Sequence, residues 1–258
     1  MDIYQHFRKE ELPFIQQVED WKRQVNTIYE EKLTGFLDPR EQQIVASVVG
    51  QDETVKFEFF GGVPFAERQR ALLYPFYEQA EERRFQIELF EVDYARKFAT
   101  INHRDVLGAL TSLGVKRDLF GDITVSEEVL QFFAAKEVAD FVRLNFTKAG
   151  NTPVQLIHQP LSKSVRSKEE WREETGFVSS LRLDVVIATI YRLPRSKTKQ
   201  YIERERVKLN WRIVDDPSTL VKVDDVISFS KKGRSKLMAL ENRSRKGRLR
   251  ITYGRKTL

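Results

Sequence analysis

The chain has 258 residues, of which 41% are hydrophobic and 32% charged, with a formal net charge of +6. It contains no cysteine, which excludes disulfides, thiolate zinc sites and cysteine nucleophiles, and its three histidines are too scattered to indicate a metal centre. No apolar run approaches the roughly 20 residues that a membrane helix needs, and the N-terminus lacks the features of a secretory signal. We therefore expect a cytoplasmic protein that needs no cofactor and contacts no membrane.

The positive charge is concentrated towards the C-terminal end. Residues 1–178 hold 23 Lys and Arg against 30 Asp and Glu, a balance of −7, whereas residues 179–258 hold 21 against 8, a balance of +13. A merely solvated surface usually mixes both signs, so this asymmetry indicates a polyanion-binding module joined to a more neutral body. We expect the polyanion to be a nucleic acid.

Residues 1–77 are predicted to form a mostly helical domain. Apolar residues recur at spacings of three, four and seven from Tyr4 to about Lys32, which is typical of helix, and Pro13 predicts a break near which a second helix begins. The pair Asp38-Pro39 supplies an N-cap and a first-turn proline for a helix that ends near residue 49.

A strand and a turn follow in the same domain. Residues 54–60 alternate like a strand that stops at Gly61-Gly62, and residues 66–71 are predicted to form a short helix. Two glycines after a strand usually form a turn. Together with Arg68 and Arg70 they could also make a phosphate cradle.

Residues 78–160 are predicted to form a ferredoxin-like domain, the fold that RNA-recognition domains also use. The predicted order is strand, helix, strand, strand, helix, strand. These elements cover residues 86–92, 103–113, 123–125, 129–134, 136–147 and 154–158. The third strand lacks the basic-glycine-aromatic run that stacks bases. Its Phe132 and Phe133 must point to opposite faces, so at least one should be core, and the sequence leaves RNA contact by this domain open.

A surface connection with a short helix, residues 161–178, is predicted before the basic module, residues 179–258. The module opens with an apolar helix at 181–190, and Ser196 is placed to cap a second helix that ends near Glu203. Strands are predicted at 207–209, 212–214 and within 221–229.

Three cations, Arg195, Lys197 and Lys199, lie at the start of that second helix. The free backbone N–H groups of a helix start also favour phosphate, and Lys208 at the strand turn is expected to join the same surface. Such a cluster suits the backbone of structured RNA, where charge and shape matter more than base edges.

The last segment, residues 231–258, holds 11 Lys and Arg against the single Glu241. Residues 248–253 alternate basic and apolar side chains, which predicts a strand, while residues 231–234 and 243–248 are predicted to be basic turns. Six engaged phosphates would give a salt slope of about −4 to −5 on logarithmic axes.

Several separated motifs in the basic module resemble the αL RNA-binding domain, which is named after small-subunit ribosomal protein S-four. The domain is shared with some pseudouridine synthases, tyrosyl-tRNA synthetases and a ribosome-rescue heat-shock protein. The motifs are Arg182-Leu183-Asp184, Arg195-Ser196-Lys197, Ile202, Arg206-Val207-Lys208-Leu209-Asn210, Asp216-Pro217 and Asp224-Asp225-Val226-Ile227. The sequence departs at Glu205 and Trp211, where members of that family often have glycine.

The rest of the chain resembles the YlmH family of bacterial RNA-binding proteins. The segments that carry this resemblance are Asp2 to Phe7, Phe36 to Glu41, Gly61-Gly62 with Ala66-Glu67-Arg68, His103-Arg104-Asp105 to Gly108, and Gly121-Asp122-Ile123. The resemblance implies a Gram-positive-type cytoplasmic protein that binds the large ribosomal subunit with tRNA. The implied role is rescue and quality control of stalled translation, with peptidyl-tRNA on a split large subunit.

Two alternatives stay open beside a non-catalytic, monomeric α+β RNA-binding protein. Pseudouridine synthases carry their catalytic aspartate in a tripeptide like Arg182-Leu183-Asp184, but they follow it with a Thr/Ser-Gly pair where this chain has Val185-Val186. An RNA-modifying enzyme that uses the αL domain to deliver substrate is therefore the weaker hypothesis. The other alternative is an interaction scaffold linked to cell division, with quality-control or cell-division proteins as partners.

The candidate RNA-contacting residues are mostly cations of the basic module. They are Arg182, Arg195, Ser196, Lys197, Lys199, Gln200, Lys208, Asn210, Lys231, Lys232, Arg234, Lys236, Arg245, Lys246 and Arg248. Secondary contacts are expected from Arg68, Arg70, His103 and Arg104. No residue is assigned a catalytic or metal-binding role.

Overall fold

The computed structural model describes residues 7–50, 52–126, 128–165, 171–243 and 247–256. The chain divides into two compact units, Met1–Lys168 and Glu169–Leu258, and the division falls within the predicted connection. No helix in these described segments has the length and apolar character that a membrane crossing requires. The α+β class predicted from the sequence is confirmed.

The N-terminal part of the first unit has two helices packed on a three-stranded antiparallel sheet. The helices are α1 (Leu12–Ile28) and α2 (Pro39–Val49). The strands are β1 (Lys32–Leu37), β2 (Val55–Phe60) and β3 (Gln69–Pro75), in the order β1-β3-β2. This part therefore contains more sheet than the predicted mostly helical domain.

Local capping signals account for both helix starts. Pro13 lies in the first turn of α1, where a missing N–H costs nothing, and the part of the predicted first helix before residue 7 lies outside the described residues. The Asp38 carboxylate accepts hydrogen bonds from the Arg40 and Glu41 backbone N–H groups, both at 2.9 Å, so the predicted start of α2 is confirmed.

The predicted short helix at residues 66–71 is wrong, because residues 69–75 form the central strand β3. Ala71 and Leu73 pack against the helices, whereas Leu72 and Tyr74 pack against the second sheet of this unit. A strand buried on both faces is a continuous apolar run, and such a run does not alternate in a way that distinguishes it from a buried helix.

The central part confirms the predicted ferredoxin-like order. Its helices are α3 (His103–Ser112) and α4 (Lys136–Asn145). Its main strands are β4 (Ile87–Asp93), β5 (Phe120–Val125) and β6 (Leu130–Ala135), and the hairpin β7 (Lys148–Ala149) and β8 (Thr152–Pro153) precedes β9 (Gln155–Gln159). The antiparallel sheet has the order β5-β6-β4-β9.

Both faces of this central sheet are buried. Phe132 is fully buried on the side of α3 and α4, and Phe133, 3% exposed, packs on the other side with Phe36 and Leu72 of the N-terminal sheet. The unit therefore stacks helices, a three-stranded sheet, a four-stranded sheet and helices. Gly62 makes this stacking possible: its φ is +92°, and a Cβ there would lie 2.5 Å from Phe133.

The buried Arg70 side chain links the two sheets by hydrogen bonds. Its side chain is 4% exposed, and its guanidinium donates to the Thr34 carbonyl at 2.7 Å, the Gln86 carbonyl at 3.1 Å and the Glu137 carboxylate at 2.8 and 3.1 Å. These bonds join β3 to β1, to the start of β4 and to the first turn of α4. Arg70 has no surface to offer RNA, so we withdraw it from the candidate contacts.

The second unit places two helices on one face of a six-stranded antiparallel sheet. The helices are α5 (Leu183–Tyr191) and α6 (Arg195–Glu203). The strands are β10 (Arg172–Val178), β11 (Val207–Leu209), β12 (Arg212–Ile213), β13 (Val226–Phe229), β14 (Gly233–Arg243) and β15 (Leu249–Lys256). Their order is β10-β15-β14-β13-β11-β12, which confirms the predicted strand near the C-terminus.

The connection predicted over residues 161–178 is wrong in its second half. A short 3-10 helix occupies Leu161–Lys163, but residues 172–178 form β10, which pairs with β15 over seven residue pairs. The partner strand begins more than 70 residues further along the chain, so no local sequence pattern predicts this pairing.

Replacing Arg70 by Met should lower the free energy of unfolding of the full chain by about 3 kcal/mol, because the buried Thr34 carbonyl loses the guanidinium as a donor and the Gln86 carbonyl and the Glu137 carboxylate each lose hydrogen bonds. Glu137→Gln should lower the free energy of unfolding by about 1 kcal/mol or less. Glu137 is 44% exposed, and the amide oxygen of the introduced glutamine can still accept a hydrogen bond from Arg70. Urea titration followed by circular dichroism measures both. Equal losses would show that the ion pair, rather than the bonds to the carbonyls, holds the two sheets together.

Candidate RNA-binding surfaces

A buried carboxylate organises the start of the second unit's helix pair. Asp184, in the first turn of α5, is 0% exposed and accepts hydrogen bonds from Arg182 Nε at 3.1 Å and Arg195 Nε at 2.9 Å. Burial alone raises the pKa of Asp184, but the hydrogen bonds and charges of Arg182 and Arg195 hold it below its ordinary value. The carboxylate therefore stays ionised and fixes both arginines.

The N-terminal N–H groups of α5 are also satisfied within the unit. The Leu183 N–H donates to the Thr219 carbonyl at 2.8 Å, and the Asp184 N–H donates to the Pro217 carbonyl at 3.2 Å. The turn that contains Asp216-Pro217 thus closes the start of α5. An anion is therefore better accommodated at the start of α6.

The second helix begins two residues earlier than predicted. Pro194 is its N-cap, so the predicted cap at Ser196 is wrong, and Ser196 lies in the second helical position. No side chain caps this helix start, whose N–H groups are therefore available to an anion.

The exposed residues on the first turns of α6 form one surface, which we call the helix surface. Thr198 and Ile202 are buried and anchor α6 on the sheet. The side chain of Arg195 is half exposed although its Nε is bonded to Asp184, so the rest of its guanidinium remains available to a ligand. The helix surface consists of Arg195, Ser196, Lys197, Lys199 and Gln200.

Lys208 does not join the helix surface as predicted. Its neighbours Val207 and Leu209 face the helix-covered core, so Lys208 points to the opposite face of the sheet. In the sheet register Lys208 lies opposite Ser228, Ser228 opposite Arg234, and Arg234 opposite Lys256.

These residues form a second basic surface across four strands. The row from Lys208 to Lys256 is about 14 Å long, from the spacing of adjacent strands. The Arg234 guanidinium lies 5.8 Å from the Trp211 ring centroid, and the Lys236 ammonium pairs with Asp224 at 2.8 Å. We call Lys208, Arg234, Lys236 and Lys256 the sheet surface. Lys256 was not singled out from the sequence, although the alternation that predicted its strand could have placed it on this face.

The turn between β11 and β12 shows how the chain accommodates its departures from glycine. Asn210 and Trp211, in this turn, have φ values of +49° and +63°, and Glu205, between α6 and β11, has a φ value of +56°. Asn210 Nδ2 donates to Asp225 Oδ1 at 2.8 Å, and the Val226 N–H donates to Asn210 Oδ1 at 2.8 Å. The Asn210 side chain thus braces the turn, so its predicted RNA contact would have to compete with these bonds.

The remaining predicted residues of this unit lie outside α6, and Arg182 shares the Asp184 carboxylate with Arg195 of the helix surface. Lys231 and Lys232 are exposed in the turn between β13 and β14, and Arg248 is exposed just before β15. Arg182 is partly exposed beside Asp184. Arg245 and Lys246 lie outside the described residues.

The secondary candidates belong to the first unit. His103 and Arg104 are exposed at the start of α3, where the Asn102 side chain accepts from the Arg104 N–H at 2.9 Å. Arg68 donates to the Phe36 carbonyl, and the N–H groups of Glu67 and Arg68 bind the Asp122 carboxylate at 2.6 and 3.0 Å. Arg68 therefore supports the packing of the two sheets, whereas Arg104 is open to solvent.

Two segments of the chain match family models. Residues 80–163 match the model described as a putative RNA-binding domain in YlmH, and residues 181–227 match the S4 domain. The second match includes the helix surface and Lys208, whereas Arg234, Lys236 and Lys256 lie beyond it.

The chain is also similar to named proteins along most of its length. It is 44% identical over 256 residues, 98% of each chain, to the ribosome-associated protein quality control protein P2 of Bacillus subtilis (strain 168). A solved structure titled cell division protein ylmH from Streptococcus pneumoniae is 32% identical, with a TM-score of 0.55 over 63% of this chain and 99% of that one.

Asp184→Asn should lower the free energy of unfolding at pH 7 by about 2 kcal/mol, because it removes the charge that binds two arginines. The pKa of Asp184 is lowered in the folded chain, so the carboxylate stabilises the fold above its ordinary pKa of 3.8, and that contribution is lost as the pH falls through the folded value.

The difference between wild type and Asp184→Asn should therefore narrow between pH 5 and pH 2 in denaturant titrations. Glu203→Gln is the matched control, since the Glu203 carboxylate at the end of α6 is exposed and makes no hydrogen bond or ion pair among the contacts described. A difference that stays constant over this pH range would contradict the assigned role of Asp184.

Proposed function

The chain belongs to the YlmH family of RNA-binding proteins, and from that premise we propose that it associates with the large ribosomal subunit and tRNA without catalysing a reaction. Its role would be the rescue and quality control of stalled translation, in the cytoplasm and as a monomer. It would act by occupancy, stabilising one tRNA-bound state of the large subunit.

The helix surface is the observation that carries this proposal. Lys197 and Lys199 are exposed beside an uncapped helix start, and Arg195 is held in place by buried Asp184. Cations and backbone N–H groups on one turn suit the phosphates of structured RNA, and a fixed guanidinium loses less freedom on binding than a mobile one. The sheet surface would supply a second contact to RNA.

The environment of Asp184 supports a non-catalytic role. In the tripeptide that resembles the one of pseudouridine synthases, its carboxylate is fully buried and accepts hydrogen bonds from two arginines. A catalytic aspartate must reach the reacting base, and this one is enclosed by its own unit. Asp184 is thus a structural residue that positions Arg195.

Lys197→Ala/Lys199→Ala should release the protein from large subunits in sucrose gradients at moderate salt, because two phosphate contacts are lost while the Arg195–Asp184 bond is kept. The slope of log affinity against log salt should become shallower by about 2. Immunodetection of the protein across the gradient measures the release.

Arg83→Ala/Lys116→Ala removes the same charge from exposed positions of the first unit and is the matched control. Equal release by both pairs would mean that net charge alone drives the association. A wild type that stays at the top of the gradient at every salt concentration would refute the ribosomal proposal.

A further inference from the structure

The central sheet has no face left on which bases could stack. RNA-recognition domains use the sheet face opposite their helices to stack bases on aromatic side chains. Here Leu89 and Phe133 on that face are buried against Phe36, Leu72 and Tyr74. Any RNA contact made by this part of the chain must therefore come from a loop, a sheet edge or an exposed helix surface.

The loop between β4 and α3 presents an aromatic side chain outward. Phe98 is 89% exposed, the highest value among the large hydrophobic side chains described. Its backbone N–H donates to the Ala95 carbonyl at 2.9 Å, and the Arg96 N–H donates to the Tyr94 carbonyl at 2.8 Å. Ile101, 2% exposed, anchors the far end of the loop, so Phe98 stands on a hydrogen-bonded turn.

Basic residues lie on both sides of Phe98 in the sequence. Lys97 and Arg104 are exposed, and the Arg96 guanidinium stacks 5.4 Å from the Tyr94 centroid and bonds to the Glu128 carbonyl. Of the nearby acids, Asp93 and Glu128 are exposed, whereas Asp105 accepts the Asn102 N–H at 3.0 Å as part of the helix cap. A partner that suits an exposed aromatic ring and flanking cations is an anion with flat, stackable rings.

We propose that residues 94–104 bind single-stranded RNA, with Phe98 stacking on an unpaired base and Lys97 and Arg104 contacting the adjacent phosphates. This inference rests on the proposed RNA-binding function and assigns to the first unit a contact of its own. Stacking on one aromatic side chain tolerates any base, so the site would recognise unpaired RNA rather than a sequence.

The test uses the full chain and a fluorescently labelled, unstructured 12-nucleotide RNA. Phe98→Ala should weaken binding, measured by fluorescence anisotropy, by about 5-fold or more, whereas Phe98→Trp should retain it. Emission from the introduced indole, taken as the difference from wild type, should be quenched by the RNA. Phe141→Ala, which removes a 47% exposed ring from α4, is the matched control and should bind like wild type.

Three results would overturn the inference. They are a Phe98→Ala affinity within 2-fold of Phe141→Ala, an unquenched indole at RNA concentrations that saturate the anisotropy signal, and no binding of the 12-mer by wild type. The ribosomal proposal is judged separately by sedimentation. Large-subunit association with no Phe98 effect would sink only this inference, and a quenched indole with no association would sink only the ribosomal proposal.

Discussion

The packing of two sheets against each other is the constraint on which the first unit depends. Phe36, Leu72 and Tyr74 meet Leu89 and Phe133 across this interface, and each sheet carries its helices on the other side. Because both faces of β3 are covered, its sequence is mostly apolar. Its buried Arg70 is accommodated because β1, the start of β4 and α4 supply hydrogen-bond acceptors. The same packing buries the sheet face that a free RNA-recognition domain would use to bind RNA.

Local signals in the sequence were sufficient for some elements and not for others. Asp38 and the glycine pair Gly61-Gly62 mark a helix start and a strand end, and the structure has both. By contrast, β3 is recognised only from its neighbours on either side, and β10 only from a partner far along the chain. The module that carries the positive charge was evident from composition, but the separation of Lys208 from Lys197 required the register of the strands.

The second unit shows that family glycines can be replaced when the turn is otherwise held. A left-handed conformation costs a residue other than glycine about 1 kcal/mol. The two bonds of the Asn210 side chain and the stacking of Arg234 on Trp211 offset such a cost in the turn between β11 and β12. The domain therefore keeps its turn while placing an indole at a position where members of the αL domain family often have glycine.

The pairing of β10 with β15 has a consequence for how the second unit is made during translation. β10 is synthesised first and β15 last among the strands of this sheet, and they are nearest neighbours. β10 therefore cannot pair with β15 until some 70 further residues have been synthesised. Contacts between residues so distant in sequence also form slowly. In a nascent chain that stops before Leu249, β10 would have no partner strand and β14 would lack one of its two neighbours. The unit thus becomes complete only when nearly its whole length has been synthesised.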